Sequence, residues 1–369
     1  MSQASKADLV NMRIEHVSSL LRPKWLQDLF ARHKAGRVSD EELRAGQDRA
    51  IREVIAKQDA AGIPVVTDGE YRRFAFMESA TTSLAGLVEV PVPVEKTDKP
   101  GTRFEPPPID QQGTTARIAL RRNLPLEEYQ FAQQVATLPV KVAILGPDRL
   151  KRRQRPGPFY ATDDEYAQDF VAAYRQMVSE LVAAGCQYIQ IDGPEYTAYV
   201  DEPSLERMRA QGEDPEQSLT RAIEMDNAIM AGFPDVTFGL HICRGNRSSM
   251  YHREGSYDTI AERLFGSSNY DRFLLEYDTE RSGGLEPLRF VPKGRTAVLG
   301  FVTTKFPDVE RADDLRAQLE EASRFLDPSQ LALSPQCGFA SGMWGNMLDE
   351  DAQWRKLDVI REVAEQVWR

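Results

Sequence analysis

Val236-Thr-Phe-Gly-Leu-His241-Ile-Cys243 is an apolar run that ends on an imidazole and a thiol. The same form recurs twice downstream. Arg272-Phe-Leu-Leu-Glu276-Tyr ends on a carboxylate, and Gln330-Leu-Ala-Leu-Ser334-Pro-Gln-Cys337-Gly ends on a second thiol. Short apolar runs bounded by polar and glycine residues are the pattern of strands buried on both faces, as in a parallel sheet.

Working outward, further runs of this kind appear in both directions. Upstream lie Tyr188-Ile-Gln-Ile-Asp192, leading into Gly193-Pro-Glu195, then Val140-Lys-Val-Ala-Ile-Leu145, and Pro64-Val-Val-Thr67, leading into Asp68-Gly-Glu70. The first is Arg13-Ile-Glu-His16-Val-Ser18-Ser19, and between the last two stands Arg295-Thr-Ala-Val-Leu-Gly-Phe-Val302. Helical patterns fill the intervals, over 24–33, 40–61, 126–136, 163–184, 203–211, 216–231, 258–264, 312–325 and 351–368. Strand and helix alternate through eight strands, which predicts an α/β fold, a (β/α)8 TIM barrel, with residues 1–369 as one catalytic domain. The pattern breaks only over 83–124. There Val88-Glu-Val-Pro-Val-Pro-Val94, Pro106-Pro-Pro108 and a strand-like 114–121 predict an inserted β-rich excursion after the second strand, its prolines confining it to edges.

Composition narrows the partners. The 369 residues carry a net charge of −11, which argues against a nucleic-acid or acidic-membrane surface. No run of about 18 apolar residues offers a membrane span, and Met1-Ser-Gln-Ala-Ser-Lys6 lacks the apolar centre of a signal peptide, so a cytoplasmic location is expected. Three cysteines, Cys186, Cys243 and Cys337, are too few for a disulfide framework. Cys186 reads as a small buried hydrophobe; the other two, at strand ends beside polar residues, do not.

A barrel gathers its active site at the C-terminal ends of its strands. Ser18, Ser19, Asp68, Glu70, Asp192, Glu195, His241, Cys243, Glu276, the segment Thr303-Thr-Lys305, and Cys337 all fall there; His16 lies on the first strand. An imidazole, two thiols and a carboxylate are the donors that tetrahedral zinc accepts. From spacing alone, a metal-free polar pocket stays open beside the zinc site.

Val66-Thr-Asp-Gly-Glu70-Tyr-Arg-Arg73, Gln190-Ile-Asp192-Gly-Pro, His241-x-Cys243, Glu276 and Ser334-Pro-Gln-Cys337-Gly resemble, in order, strand-end segments of cobalamin-independent methionine synthase, in its C-terminal catalytic barrel. The resemblance runs from about residue 14 to 368. It implies Zn2+ held by His241, Cys243, Glu276 and Cys337. It further implies catalytic or substrate-holding roles for Asp192 and Glu70 at the amino group of a homocysteine-like thiol, and for Ser18 and Ser19 at its carboxylate; Glu195 and His16 are further candidate substrate contacts. The partners expected are a small-molecule thiol and an alkyl donor, most simply a methyl donor, giving methionine.

Two strand ends depart from the family pattern. Leu145-Gly-Pro-Asp148 stands where a pterin-stacking tryptophan is expected, and Val302-Thr-Thr-Lys305 where a histidine is expected, so the donor stays open. The alternative is an epoxyalkane:coenzyme M transferase-type reaction, a zinc-bound thiol opening an epoxide, with Arg72, Arg73, Arg244 and Arg247 as candidate sulfonate clamps. A resemblance to uroporphyrinogen decarboxylase leaves His241, Cys243 and Cys337 without a role.

Overall fold

The computed structural model describes residues 4–88, 100–104 and 113–368. A short antiparallel pair, β1 (Leu84–Ala85) and β2 (Ala119–Leu120), stands apart from the main sheet. The main sheet comprises β3 (Lys141–Leu145), β4 (Tyr188–Asp192), β5 (Thr237–Ile242), β6 (Arg272–Glu276), β7 (Thr296–Val302) and β8 (Leu331–Pro335), parallel and in sequential order. These are the third to eighth predicted strands, and every residue in them is buried on both faces.

The first two predicted strands reduce to single parallel bridges, Ile14 on Leu333 of β8 and Val66 on Val140 beside β3. They extend the sheet at its two edges. Pro64 lacks an N–H, so little ladder can form there. Side chains link the two segments instead: Gln58 receives the Thr67 N–H at 2.9 Å and meets His16 Nε2 at 2.8 Å, and Thr67 Oγ1 donates to the Ser18 carbonyl at 2.7 Å.

Helices cover the outside. The helix Asp40–Ala60 starts with a capping box of Ser39 and Glu42 and turns Ala50, Ile51, Val54 and Ile55 inward. Asp163–Ala183 buries Tyr166, Phe170, Tyr174, Met177, Val178 and Leu181, the stripe of an amphipathic helix. Each such side chain contributes about 1.5–3 kcal/mol of burial. One core cluster runs from Ile14 to Val363. Three helices among the described residues were not foreseen: Lys6–Val10, Glu78–Thr81, and Pro147–Arg153, where Gly146-Pro147 opens a helix instead of merely ending a strand.

The excursion is less regular than expected. Of 114–121 only Ala119–Leu120 pairs, and both the alternating stretch 89–94 and Pro106-Pro-Pro108 lie outside the described residues. Residues 100–104 lie along the loop after β5, with Gly101 N on Ser249 O at 2.8 Å and Phe104 N on Tyr251 O at 2.5 Å.

Alternation along the strands stacks interior side chains in layers. The lowest holds Glu15, Lys141, Tyr188 and Arg272; Val17, Leu274, Val298 and Ala332 form an apolar cluster above. Gly239 makes room for the floor: a Cβ there would stand 3.0 Å from the Tyr188 hydroxyl. Asp192 and Glu276 come last on their strands and His241 second from last on β5, at the mouth.

Candidate metal centre

Register aligns the site. Asp192 pairs with His241 across β4 and β5, and Glu276 pairs with Gly300 across β6 and β7. Cys243 follows β5 directly, its carbonyl held by Thr197 Oγ1 at 3.0 Å. Cys337 follows β8, where Gln336 N donates to Val302 O at 2.8 Å. Gly300 permits this approach, since a Cβ on it would meet Gln336 Cα at 2.6 Å.

The donor atoms of His241, Cys243 and Cys337 all lie within 4.8 Å of one another. His241 is 3% exposed, yet neither ring nitrogen meets a hydrogen-bond partner among the described residues. A buried imidazole without partners is costly, and beside two thiols it fits a soft divalent cation such as zinc. The neighbouring Cys337 thiol, helped by the His241 imidazole, holds the Cys243 thiol well below its usual range against the opposing effect of burial, and Cys337 is raised by the Cys243 sulfur and by burial. Burial would lower His241, but the Cys243 sulfur and the Asp192 and Glu276 carboxylates raise it.

Glu276 is fully buried beside this trio but is not part of it. Its Oε1 accepts from Arg281 Nη2 at 2.5 Å and Nε at 3.1 Å, and its Oε2 from Arg244 N at 2.9 Å. Asp278 shares Arg281 at 2.5 Å, an orienting contact behind Glu276.

Asp192 accepts from Gln190 Nε2 at 2.8 Å. Burial pushes its carboxyl up to about 6, with Glu70 adding repulsion and His241 opposing. Glu70 has φ 60 directly after Gly69 at φ 69, and Arg22 clamps this turn by donating to Glu70 O at 2.9 Å and Arg73 O at 3.0 Å. Glu70 Oε2 and Asp68 Oδ2 are buried without hydrogen-bond partners among the described residues; the nearest cation to Glu70, Arg73 Nη1, stands 3.7 Å away. Ser18 and Ser19 are buried at the head of the first segment, and Ser19 abuts Gly338, where an added Cβ would collide with its Oγ.

Two candidates are engaged by other side chains. His16 turns to Gln58 in the helical layer, on the opposite face of its segment from Glu15 and Val17, and burial lowers its ring to about 4. Glu195 is committed to Arg149 and to Arg253, the latter at 2.8 Å, which hold it well below the carboxylate range despite burial. The arginine clamps are similarly engaged: Arg73 on Glu128 at 2.6 Å, Arg72 on Asp48 at 2.5 Å, and Arg244 on Tyr257 at 2.7 Å. Arg247 lies over the rings of Phe104 and Trp344. Cys186 is buried in the core, its thiol raised to about 12 by burial.

The family model for the cobalamin-independent synthase catalytic domain matches residues 25–366. The chain belongs to the cobalamin-independent methionine synthase family. It is 35% identical to the uncharacterized protein YxjH of Bacillus subtilis over 97% of this chain and 95% of that one. It is 25% identical to a methionine synthase of Sulfurisphaera tokodaii, over 87% and 84% of the two chains. A crystal structure from Listeria monocytogenes, named as a candidate vitamin-B12-independent methionine synthase, superposes over 100% of both chains with a TM-score of 0.76 and 27% identity. The family is one of methyltransferases, and the α/β architecture expected from the strand pattern is that of its members.

Sequence reading missed a network beside Cys337. Asn246 Nδ2 donates to Thr304 Oγ1 at 3.1 Å and to Gly338 O at 2.6 Å, and Thr304 Oγ1 donates to Gln336 Oε1 at 2.8 Å. Lys305 is 1% exposed, and its charge acts on both Glu276 and Cys337. The available signal was adjacency: Gln336 precedes a candidate ligand, and Lys305 closes a strand-end segment.

Proposed function

We propose that the protein is a zinc-dependent thiol methyltransferase that converts homocysteine to methionine, with His241, Cys243 and Cys337 as metal ligands and Glu276 completing the set. The observation that carries this reading is the partnerless His241 imidazole gathered with two thiols at the mouth of the sheet. Zinc bound there would lower the pKa of a substrate thiol, leaving its sulfur a nucleophile at neutral pH.

The chain's own residues do the remainder. Asp192 and Glu70 take the substrate ammonium, which supplies the hydrogen bonds that Glu70 Oε2 and Asp68 Oδ2 lack among the described residues. Ser18 and Ser19 receive the carboxylate end. Arg281 holds Glu276 in place, and the buried walls keep water from the sulfur. The arginines that an epoxide-opening enzyme would need for a sulfonate are engaged with intramolecular partners or stacked on rings, and coenzyme M has no amino group for Asp192; homocysteine is therefore the favoured thiol.

Metal analysis of protein purified without added zinc, paired with a thiol-consumption assay, tests this. Near-stoichiometric zinc is expected, reduced at least tenfold in Cys337→Ser. Homocysteine should be consumed with methyltetrahydrofolate or methylcobalamin, and coenzyme M with epoxypropane should not react. Zinc-free, fully folded protein, or turnover confined to the epoxide, would reject the reading.

A further inference from the structure

The helix Pro147–Arg153 leaves β3 at a strand end where the sequence departs from the family pattern, and its faces treat their arginines differently. On one face Arg152 is committed inside the fold, donating to Asp148 at 3.2 Å, Glu213 at 2.9 Å and the Tyr199 hydroxyl at 2.8 Å. On the other, Arg149 and Arg153 stand four residues apart, a like-charge pair one turn apart that destabilises a helix. Arg149 Nη1 pairs with Glu195 Oε1, and its Nε is buried without a hydrogen-bond partner among the described residues. The Arg153 guanidinium makes no hydrogen bond or ion pair among the described residues.

Glu195 already serves another guanidinium. Arg253, from the loop after β5, donates to Glu195 Oε2 at 2.8 Å and to Pro194 O at 2.5 Å; its side chain is 9% exposed, and its Nε has no hydrogen-bond partner among the described residues. His252 Nε2, beside the same arginines, is also buried without one. One carboxylate therefore answers Arg149 and Arg253 in contact and Arg153 at longer range. Burial and the Arg149 charge push Arg153 down to about 10, with Glu195 opposing. A partly buried cluster with surplus positive charge is unfavourable until an anion joins it. The cluster adjoins the metal centre through shared loops: Gly146 N donates to Asp192 O at 2.7 Å, and Arg253 N to Arg244 O, directly after Cys243, at 3.1 Å.

We infer that Arg149, Arg153 and Arg253 form a subsite for an oxyanion, a carboxylate or a phosphate, that the alkyl donor carries away from its reactive carbon. This deepens the proposed function and rests on it. Glu195 is then a scaffold that orients Arg149 and Arg253, and Arg153 is the cation left for the ligand. A planar guanidinium takes either oxyanion through two parallel hydrogen bonds. The acid end of the thiol is placed elsewhere, at Ser18 and Ser19, where Ser19 lies against Gly338 in the loop after β8. The arginines stand on the side of β3 to β5 and meet the second substrate. A charge held far from the reacting carbon acts through binding and orientation of the donor, so it sets which donors the enzyme accepts.

The experiment compares wild type with Arg153→Met and Arg153→Lys. Transfer to homocysteine is read with methyltetrahydrofolate, which carries carboxylates, or methylcobalamin, which carries a phosphodiester, whichever the wild type turns over, and with methyl iodide, which carries no anion. Arg153→Met is expected to melt no lower than wild type, because a repulsive pair is removed, and to keep its zinc and its KM for homocysteine. Its KM for the anionic donor should rise about tenfold or more, while its rate with methyl iodide stays within about twofold. Arg153→Lys should recover part of the loss. Inorganic phosphate and glutarate, compared at fixed ionic strength, name the source: the anion that competes with the donor in wild type should compete at least about fivefold more weakly in Arg153→Met. An unchanged KM for the donor, competition by neither anion, an equal loss with methyl iodide, or an effect confined to the KM for homocysteine would overturn the inference alone; the last would hand the cluster to the acid end of the thiol. A wild type that holds no zinc or methylates no thiol would overturn the proposed function and this inference with it.

Discussion

The two ends of the sheet bury the same kinds of groups and treat them oppositely. At the floor, Glu15 receives Lys141 Nζ at 2.6 Å, Arg272 Nε at 2.7 Å and the Tyr188 hydroxyl at 2.9 Å. The rest of the Arg272 guanidinium donates to carbonyls at the end of the Lys6–Val10 helix and to Met12 O. At the mouth, His241, Asp68, Glu70 and Gln336 keep polar atoms that are buried and without hydrogen-bond partners among the described residues. A satisfied polar network stabilises and specifies, whereas an unsatisfied one persists where a ligand completes it. The contrast assigns stability to the floor and chemistry to the mouth.

The largest effect that sharpens this division is expected at Glu15. Glu15→Ala strands two buried cations and should lower stability by about 3–5 kcal/mol, because the charges left behind have lost their counterion. Zinc content of the fraction that still folds should be unchanged. Burial alone would raise the Glu15 carboxyl, but Lys141 and Arg272 outweigh it and hold it at about 2. Its contribution is therefore present above the unfolded value of about 4.5 and lost as pH falls toward 2. Urea denaturation at pH 7 and pH 3 reads both predictions; a loss below about 1 kcal/mol at pH 7 would mean the floor is not a determinant of stability.

Most of this architecture was legible from apolar runs, and the reason is physical. Strands buried on both faces must be apolar for several residues and can carry chemistry only where they emerge, so β3 to β8 and the positions of His241, Cys243 and Cys337 could be read directly. Side-chain direction could not be read where one residue decides it. His16 and Glu15 are neighbours, yet only Glu15 enters the interior. Partners distant in sequence were equally hidden: nothing local to Glu195 announces Arg149 and Arg253. The orientation of the Gln336 amide arises from a chain of bonds through Asn246 and Thr304 that only tertiary structure assembles.

Asp226, on the helix Pro215–Met230, tests whether countercharge or hydrogen bonding makes a buried carboxylate stabilising. Like Glu15 it is buried, and its Oδ2 accepts from Tyr196 and Tyr270 hydroxyls, each at 2.7 Å, but no cation pairs with it among the described residues. Burial pushes it up to about 7, overriding both hydroxyls. A raised carboxyl favours the fold below its unfolded value of about 3.8, and this contribution is lost as pH rises through 7. Asp226→Asn keeps an oxygen for both tyrosines and removes the titration. The variant should lose less stability than wild type between pH 5 and 8, a difference on the order of a few kcal/mol. Parallel pH profiles would show that the two hydroxyls alone suffice.

The smallest effect expected is at Glu70, where stability and function should move in opposite directions. A non-glycine residue in the left-handed region costs about 1–2 kcal/mol, and Glu70 sits there at φ 60. Arg22 holds the turn through main-chain carbonyls of Glu70 and Arg73, so the turn does not need the Glu70 side chain. Glu70→Gly should relieve the strain and leave the protein as stable as wild type or up to about 1 kcal/mol more so. The same change removes a carboxylate proposed to hold the substrate ammonium, and KM for homocysteine should rise about tenfold or more, the size of one charge-assisted hydrogen bond. Glu70→Gln, which keeps the strained backbone, separates the two: it should share the KM effect without the gain in stability. If glycine destabilises instead, the side chain serves the fold and Glu70 belongs with the floor's kind of residue; if KM is unmoved in both variants, the ammonium is held by Asp192 without it.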